Sequence, residues 1–327
     1  MSKQPPRLHR SRTSDAREHI RLLLRVARMY YQDGATQSQI AASIGYSRPT
    51  VSRLLAEARN KDVVRIRIDH PLERAMNMEE ELIERFGLHD ARIAEVADPM
   101  SLPAEVSRCA ADYIVETCYE DVAIAVSNGY AVKETIEAMP QTDWIQSRVI
   151  QMLGSVSNSE FLIDSSETCR RLARQLGGRH YPLPAPLVVA SAEVATSLSE
   201  SPQVSSILDL AQRSDLALVG IGTVSKGRSG HIFEGLTDSY VSATLIREKA
   251  VGHICGHHFD IEGRHIQTSL CDRTIGISLQ QIKRLPRVIG VAWGEQKLKA
   301  IRGAICGGFI STLVTDRNTA LSLLNQK

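Results

Sequence analysis

The segment over residues 36–55 carries start and stop signals for two short helices separated by a turn. Thr36 and Gln39 have the T-x-x-Q spacing of a capping box, which predicts a helix that begins at about Gln37. Gly45 supplies the left-handed residue that commonly ends a helix. Because these signals are so closely spaced, this part of the chain is predicted to fold as a helix-turn-helix.

The second helix of this segment has one apolar and one polar face. Ser47 is predicted to cap it, and Pro49 stands in its first turn, where a missing N–H costs nothing. The apolar residues that recur at helical spacing and should face inward are Val51, Leu54, Leu55 and Ala58. The residues left outside, at the amino end, are hydrogen-bond donors: Arg48, Thr50, Ser52 and Arg53.

Donors of these kinds read base edges and phosphates when the helix that carries them enters the major groove of DNA. The candidate DNA-binding residues in this segment are Thr36, Gln37, Ser47, Arg48, Thr50, Ser52 and Arg53. The preceding helix is predicted over residues 16–32. The residues on its inner face are expected to be Leu22, Leu23, Val26 and Tyr30. The alternative is that two short amphipathic helices with a glycine turn occur in many folds that never contact DNA.

The distribution of charge favours a DNA-binding interpretation. Residues 1–70 contain 14 lysines and arginines against 6 aspartates and glutamates, whereas the other residues contain 25 against 31. A basic head is therefore joined to a mildly acidic body, although the formal net charge of the whole chain is only +2. This asymmetry is typical of a nucleic-acid-binding module attached to a second domain, and it predicts salt-sensitive binding to double-stranded DNA.

Residues 63–68 (VVRIRI) alternate apolar and basic side chains, which predicts a short strand with Arg65 and Arg67 on one side. We interpret it as the wing of a winged helix, resting on the phosphate backbone. An edge strand protected by its charges is the alternative. The domain boundary is placed at the break that follows, so that residues 1–70 form the DNA-binding domain with a flexible basic arm and residues 71–327 form a larger domain.

No apolar run approaches the roughly 18 to 20 residues that span a bilayer, and the basic N-terminus lacks the apolar core of a signal peptide. The six cysteines are scattered without a C-x-x-C pair, which favours free thiols in a reducing compartment. We therefore expect a cytoplasmic protein that does not bind membranes.

The larger domain alternates short Val/Ile/Leu runs with helical stretches, as in ARIAEV before residues 102–118 and VAIAVS before residues 130–138. Apolar runs with little alternation are typical of strands buried on both faces. The predicted fold class is therefore α/β with a mostly parallel sheet, and small ligands are expected at the carboxyl ends of its strands.

Small polar residues collect at those strand ends. They form four turns: Ser127-Asn128-Gly129, Gly154-Ser155, Gly220-Ile221-Gly222-Thr223 and Gly294-Glu295-Gln296-Lys297. A strand–glycine–helix turn exposes backbone N–H groups at the positive end of a helix dipole, which suits an anion. Together the turns predict a site for an anionic, hydroxylated ligand.

The histidine-rich stretch near residue 255 contains several potential metal ligands. Its potential ligands are His253, Cys255, His257, His258 and Asp260. In a strand these side chains would point in different directions, and their spacing matches no standard zinc site, so no metal is expected there. Because no Walker motif is present and an isolated G-I-G is too little for dinucleotide binding, no cofactor is expected either.

The chain resembles the SorC family of sugar-responsive bacterial transcriptional regulators over roughly residues 18–325. The resemblance lies in residues 36–55 and in five blocks of the larger domain: IAVSNG (124–129), VGIGT (219–223), VGHICGHHFDIEG (251–263), VAWGEQKLKAI (291–301) and LVTDRNTALSLL (313–324). It implies a body similar to sugar-phosphate isomerases and deaminases, a tetramer, and operator binding that a phosphorylated sugar controls.

The resemblance also implies roles for individual residues. The family's phosphate-binding turn falls on Ser127 to Ala131, its glycine turn on Gly220 and Gly222, its effector-contacting acid on Asp260 and its phosphate-pairing lysine on Lys297. With the strand-end residues, the candidate effector site is Ser127, Asn128, Gly129, Gly154, Gly220, Gly222, Asp260 and Lys297. Three residues depart from the usual family pattern, namely Ala131 for threonine, Trp293 for glycine and His253 for an acid, and Trp293 could stack on a sugar ring.

Two hypotheses of different classes follow. The first is a regulator of a carbohydrate or polyol operon that a sugar effector controls, without enzymatic activity. The second is a sugar-phosphate isomerase or deaminase with a basic appendage. An enzyme would need an acid/base pair at the sugar, and Asp260 is the only strong candidate, without an evident partner. The regulator is therefore the preferred interpretation.

Overall fold

A computed structural model describes residues 12–64, 71–155, 165–224 and 238–325 of the chain. The chain separates into two compact units, Met1–Asp69 and His70–Lys327. No helix within the described residues is long and apolar enough to cross a membrane.

The first unit contains three helices: α1 (Arg12–Tyr31), α2 (Gln37–Ile44) and α3 (Arg48–Asn60). The capping box is formed, since the backbone N–H of Gln39 donates to Oγ1 of Thr36 and the backbone N–H of Thr36 donates to Oε1 of Gln39. Gly45 ends α2 with φ of 72°. The hydroxyl of Ser47 accepts the N–H of Thr50 at the start of α3. The predicted helix starts and caps are thus confirmed, and the three helices are consistent with the predicted helix-turn-helix.

The core of this unit is small and consists of the predicted inner face of α3 with residues from α1 and α2. Its buried members are Leu23, Val26, Ala27, Ile40, Ala41, Val51, Leu54, Leu55 and Ala58. The placement of Tyr30 on the inner face was wrong, because its ring is 38% exposed and packs edge-on against Tyr31 at the end of α1. The predicted wing begins at Val63, but Arg65 and Arg67 lie outside the described residues.

The second unit is built on a seven-stranded parallel sheet with the order β1-β11-β10-β5-β2-β3-β4. Its strands are β1 (Asp90–Ala94), β2 (Ala123–Val126), β3 (Arg148–Gln151), β4 (Arg179–Tyr181), β5 (Leu216–Gly220), β10 (Val288–Val291) and β11 (Thr312–Asp316). A four-stranded antiparallel sheet consists of β6 (Gly222–Thr223), β7 (Gly252–Ile254), β8 (His257–Phe259) and β9 (His265–Ile266). The predicted α/β class with a mostly parallel sheet is confirmed.

Eleven further helices are described in the second unit. They are α4 (Pro71–Phe86), α5 (Leu102–Thr117), α6 (Tyr130–Ala138), α7 (Ser165–Leu176), α8 (Ala192–Glu200), α9 (Pro202–Gln212), α10 (Ser239–Arg247), α11 (Ser269–Asp272), α12 (Leu279–Ile282), α13 (Leu298–Cys306) and α14 (Arg317–Asn325). Short 3-10 turns at Pro99–Ser101 and Glu295–Lys297 precede α5 and α13.

Both faces of the parallel sheet are buried, which explains why its strands read as continuous apolar runs. In β5, Leu216 and Leu218 join a core that also contains residues of α5, α6 and α7. Ala217 and Val219 point to the other face, into a core shared with α9, α13 and α14. Since neighbours along a strand face opposite sides, such strands are mainly apolar along their whole length, as β2 and β10 are.

The strand order creates a switch point between β2 and β5. From β2 the chain proceeds to β3 and β4 in one direction, and from β5 it proceeds to β10 and β11 in the other. Right-handed crossovers in opposite directions place their connections on opposite faces of the sheet. In α/β sheets such a switch point generally forms a ligand-binding crevice, which is expected here at the carboxyl ends of β2 and β5.

The antiparallel sheet was not predicted from the sequence. Its central feature is a two-residue turn between β7 and β8, in which Ile254 pairs with His257. Both turn residues have positive φ, 51° at Cys255 and 86° at Gly256. This is the backbone of a type I′ hairpin, in which Asn-Gly is the usual pair, so Cys-Gly is only a weak sequence signal for it.

Candidate functional site

Ser127 lies at the carboxyl end of β2 and joins it to β5. Its side chain is buried, and Oγ accepts the backbone N–H of Gly220 at 3.3 Å. The same hydroxyl donates to the carbonyl of Asn128 at 3.2 Å. The hydroxyl of Ser127 therefore links the ends of β2 and β5 at the base of the crevice. Its proton and one of its acceptor positions are used for hydrogen bonds within the protein.

Gly129 starts α6 directly above this base, with φ of 125°. A Cβ atom at this position would have no neighbour within 4 Å, so space is open in front of it. No side chain of the described residues caps the amino end of α6. The helix dipole favours negative charge at this end, so an anion in the crevice would be stabilised there.

An aromatic pair spans the end of β5. Tyr130, the first residue of α6, contacts Trp293, which follows β10, with ring centroids 6.2 Å apart and an interplanar angle of 62°. Because β5 lies between β2 and β10, this contact crosses over the strand that ends in Gly220. The two rings thus form one wall at the predicted ligand edge.

Lys297 reaches the same wall. Its Nζ lies 5.9 Å from the centroid of the Trp293 ring, within the range of a cation–π contact. Burial lowers the pKa of Lys297 to about 8, and no carboxylate of the described residues offsets this effect. The structure therefore holds a partly buried ammonium group that lacks an acidic partner within the described part of the chain.

A buried carboxylate fixes the turn that carries Lys297. Asp316, at the end of β11, accepts the backbone N–H groups of Asn318 (2.9 Å) and Thr319 (3.1 Å) and the hydroxyl of Thr319. Oγ1 of Thr319 in turn accepts the N–H of Gly294 at 2.8 Å. These positioning residues were not among the predicted site residues, although the T-D-x-x-T pattern in the block over 313–324 was a visible signal.

The carboxylate of Asp260 is engaged within its own loop. One carboxylate oxygen accepts the N–H groups of Glu262 (3.1 Å) and Arg264 (2.8 Å), and the other accepts Nε of Arg264 at 2.6 Å. Burial raises the pKa of Asp260, but the hydrogen bonds and the charge of Arg264 outweigh it, so that the pKa is lowered. The carboxylate closes its own loop and lines a cleft of about 520 Å³ that neither Ser127 nor Lys297 lines.

Gly154 and Gly222 are required by close packing. A Cβ atom on Gly154 would lie 2.2 Å from the carbonyl oxygen of Pro186, and one on Gly222 would lie 2.1 Å from Nε2 of His253. The N–H of Gly154 donates to the carbonyl of Ile275 at 2.9 Å and is not free for a ligand. Their role in effector binding stays a prediction. Close packing alone explains why glycine is needed at both positions.

The histidine-rich stretch does not gather its side chains at one point. His253 and His258 pair across β7 and β8, with ring centroids 5.4 Å apart. Cys255 sits in the hairpin turn, where burial raises the pKa of its thiol to about 12. Burial also lowers the pKa of His257 to about 4. Asp260 is held by Arg264.

The outer face of α3 presents cations to solvent. Arg48, Ser52 and Arg53 are exposed, and neither arginine forms an ion pair within the described residues. The hydroxyls of Ser47 and Thr50 lie 2.8 Å apart and stabilise the helix start. One turn after Arg53, Glu57 pairs with Lys61 at 2.7 Å and with His19 at 2.8 Å, so its carboxylate is engaged by these two partners.

The comparisons with known proteins cover nearly the whole chain. A family model described as "Putative sugar-binding domain" matches residues 70–325. The chain is 32% identical over 315 residues to the deoxyribonucleoside regulator of Bacillus subtilis (strain 168), covering 94% of this chain and 99% of the relative. It is also 32% identical to the transcriptional regulator LsrR of Klebsiella pneumoniae subsp. pneumoniae, covering 93% and 92% of the two chains.

A solved structure shares the architecture of both units. The full-length sorbitol operon regulator SorC from Klebsiella pneumoniae superposes with a TM-score of 0.74 at 28% identity, covering 94% of this chain and 100% of that chain. All three proteins are named as regulators and none as an enzyme.

Proposed function

We propose that this chain, which belongs to the SorC family of DNA-binding transcriptional regulators with a sugar effector, controls a carbohydrate or polyol operon in response to a phosphorylated sugar. Membership of a regulator family confirms the regulator hypothesis over the enzyme hypothesis. What we propose beyond family membership is the class of sugar, its phosphorylation and the residues that bind it.

The observation that carries the proposal is the ammonium group of Lys297. A partly buried cation without an acidic partner is destabilised until an anion neutralises it. Lys297 lies beside Trp293, and Trp293 contacts Tyr130 at the uncapped amino end of α6. A phosphate group placed here would accept hydrogen bonds from both the ammonium and the helix start.

The aromatic wall supports a sugar as the rest of the ligand. The ring faces of Trp293 and Tyr130 can pack against the apolar face of a sugar, while the amide of Asn128 can exchange hydrogen bonds with its hydroxyls. Asn128 is half-buried at the same strand end. Ligand sites commonly combine such apolar surfaces with a few placed polar groups.

Operator binding is assigned to the exposed face of α3, with Arg48 and Arg53 as the main contacts. A single copy would present only a small recognition surface, so we propose that a homo-oligomer, a tetramer, pairs several copies along operator DNA in the cytoplasm. The effector would favour one arrangement of the oligomer, and coupling of about 1–3 kcal/mol would change operator affinity 5- to 150-fold.

The function is tested by measuring the thermal stability of the full chain with a panel of sugars, polyols and their phosphates. A ligand at 100 times its dissociation constant should stabilise the chain by about 2.7 kcal/mol. Lys297→Met should remove the shift, whereas Lys299→Met, a neighbouring exposed lysine, should retain it. A sugar phosphate that shifts both variants equally would contradict the assignment of the site.

A further inference from the structure

Three potential metal ligands come together outside the proposed effector site. The ligand atoms of His257, His265 and Cys271 all lie within 4.8 Å of one another. His257 and Cys271 are buried, and His265 is exposed. The sequence did not indicate this combination, because only His257 belongs to the stretch that was considered for metal binding.

The fold brings these residues together through a hairpin and a short helix. Phe259 of β8 pairs with His265 of β9, so that His257, two residues before Phe259, lies diagonal to His265 on the same face. Their ring centroids are 5.4 Å apart. Cys271 lies in α11, whose start is capped by Thr268. Three separate segments thus contribute one ligand each.

The distance between the sulfur and the nearer imidazole fits a metal ion. Sγ of Cys271 lies 3.6 Å from Nε2 of His265. Tetrahedral zinc with Zn–S of about 2.3 Å and Zn–N of about 2.0–2.1 Å requires an S···N separation of about 3.6 Å. The remaining separations, none longer than 4.8 Å, must shorten by at most about 1.5 Å to reach tetrahedral zinc geometry, which requires rotation of the imidazole rings.

His257 supplies a second and independent observation. It is 7% exposed, and its Nδ1 is buried without a hydrogen-bond partner among the described residues. An unpaired buried polar atom is costly, and hydrogen bonding within the described part of the protein does not satisfy Nδ1 of this imidazole.

We propose that His257, His265 and Cys271 bind one Zn²⁺ ion per chain, with water or a small anion at the fourth position. Two imidazoles and a thiolate form a ligand set that zinc prefers. Binding exchanges the S–H bond of Cys271 for a Zn–S bond and releases the proton to solvent. The ion links β8, β9 and α11.

The fourth position lies at the edge of a cleft. His265 lines the cleft of about 520 Å³ together with Lys249, Asp260 and Arg264. An ion bound to His265 is therefore accessible to solvent, which allows it to enter the folded protein and exchange its fourth ligand.

The site is tested with Co²⁺, which reports tetrahedral thiolate coordination spectroscopically. The chelator-treated full-length chain is titrated with Co²⁺ and then with Zn²⁺. We expect the d–d bands of tetrahedral Co²⁺ and a thiolate-to-metal charge-transfer band, which reach their maximum at one equivalent and disappear when Zn²⁺ is added. Absence of the charge-transfer band in the wild-type chain would overturn the proposal.

Variants locate the site. Cys271→Ser should remove the charge-transfer band, and His265→Ala should weaken Zn²⁺ binding at least about ten-fold, since even the loss of outer-shell partners costs 10- to 100-fold. His265 is exposed, so its replacement leaves the fold intact, which circular dichroism of the metal-free chain verifies. Cys306→Ser, at an exposed cysteine outside the cluster, should behave as the wild type. Loss of the band in Cys306→Ser, or its retention in Cys271→Ser, would contradict the proposal.

Discussion

The backbone N–H of Gly294 donates a hydrogen bond to Oγ1 of Thr319, and this 2.8 Å contact ties the end of β10 to the start of α14. Thr319 is itself held by the buried carboxylate of Asp316. Gly294 has φ of 95° and begins the turn that carries Lys297. The position of the ammonium group therefore depends on two residues that a ligand need not touch.

Replacing Thr319 by valine removes this link while it preserves the shape of the side chain. The N–H of Gly294 would lose its acceptor, and we expect a loss of about 1–3 kcal/mol in the free energy of unfolding, with weaker effector binding. Urea unfolding and ligand-induced thermal shifts measure the two effects. Thr196→Val is the matched control, because the exposed hydroxyl of Thr196 bonds only within its own helix. Equal losses in both variants would argue against the link.

The pKa of Lys297 predicts how effector affinity changes with pH. In the free protein the ammonium loses its proton as pH rises through about 8, whereas a bound phosphate would keep it protonated. Affinity for a phosphorylated ligand should therefore fall above pH 8, by up to about tenfold per pH unit. The affinity is measured by calorimetric titration between pH 7 and 9. The phosphate stays ionised over this range, because its second pKa is about 6. Lys297→Met should bind weakly at every pH, and a flat profile in the wild type would exclude Lys297 as the partner.

Arg53→Ala should lower operator affinity by about 1–3 kcal/mol and relax the sequence preference, because Arg53 is exposed at the amino half of α3. Arg59→Ala, at the other end of the same helix, should have a smaller effect. Footprinting and binding isotherms at several salt concentrations distinguish base contacts from phosphate contacts. Indistinguishable footprints for the wild type and Arg53→Ala would reject the groove assignment.

Asp260→Asn separates a loop role from an effector role. The variant loses the charge that holds Arg264, and because Arg264 is largely exposed we expect only a small destabilisation. The lowered pKa means that this stabilisation is present at neutral pH and is lost as the pH falls through the folded-state pKa. The effector-induced thermal shift at pH 7 should persist. Loss of that shift, with the stability of the ligand-free chain unchanged, would indicate that Asp260 contacts the effector.

Gly154→Ala should be destabilising and Gly220→Ala tolerated, although both glycines were predicted as ligand-binding residues. The new methyl group would clash with the backbone of Pro186 in the first case and would have ordinary neighbours at 3.7 Å in the second. Overpacking typically costs about 1–3 kcal/mol. Thermal unfolding of the two variants measures the difference, and similar melting temperatures would show that the backbone near Gly154 can move.

The helices of the first unit could be predicted from local signals, because a helix cap or a turn depends only on residues a few positions apart. The capping pair Thr36 and Gln39 and the positive φ at Gly45 could be anticipated from side-chain chemistry alone. Tyr30 was misplaced because helical spacing identifies a face but does not show where the packing partner ends.

The candidate ligand site could be predicted only in part. Strand ends were recognised from apolar runs, and their adjacency followed from the expected parallel sheet. The sheet order that joins Tyr130 to Trp293, and the loop that occupies Asp260, depend on long-range packing for which a single sequence has no local signal.

The hydrogen bond from Gly220 to Ser127 has a mechanical consequence. It continues the attachment of β2 to β5 beyond their last paired residues. The protein itself therefore holds these two strand ends together, with or without a ligand. We expect any movement on ligand binding to occur beyond this link, in the start of α6 and in the turn before α13.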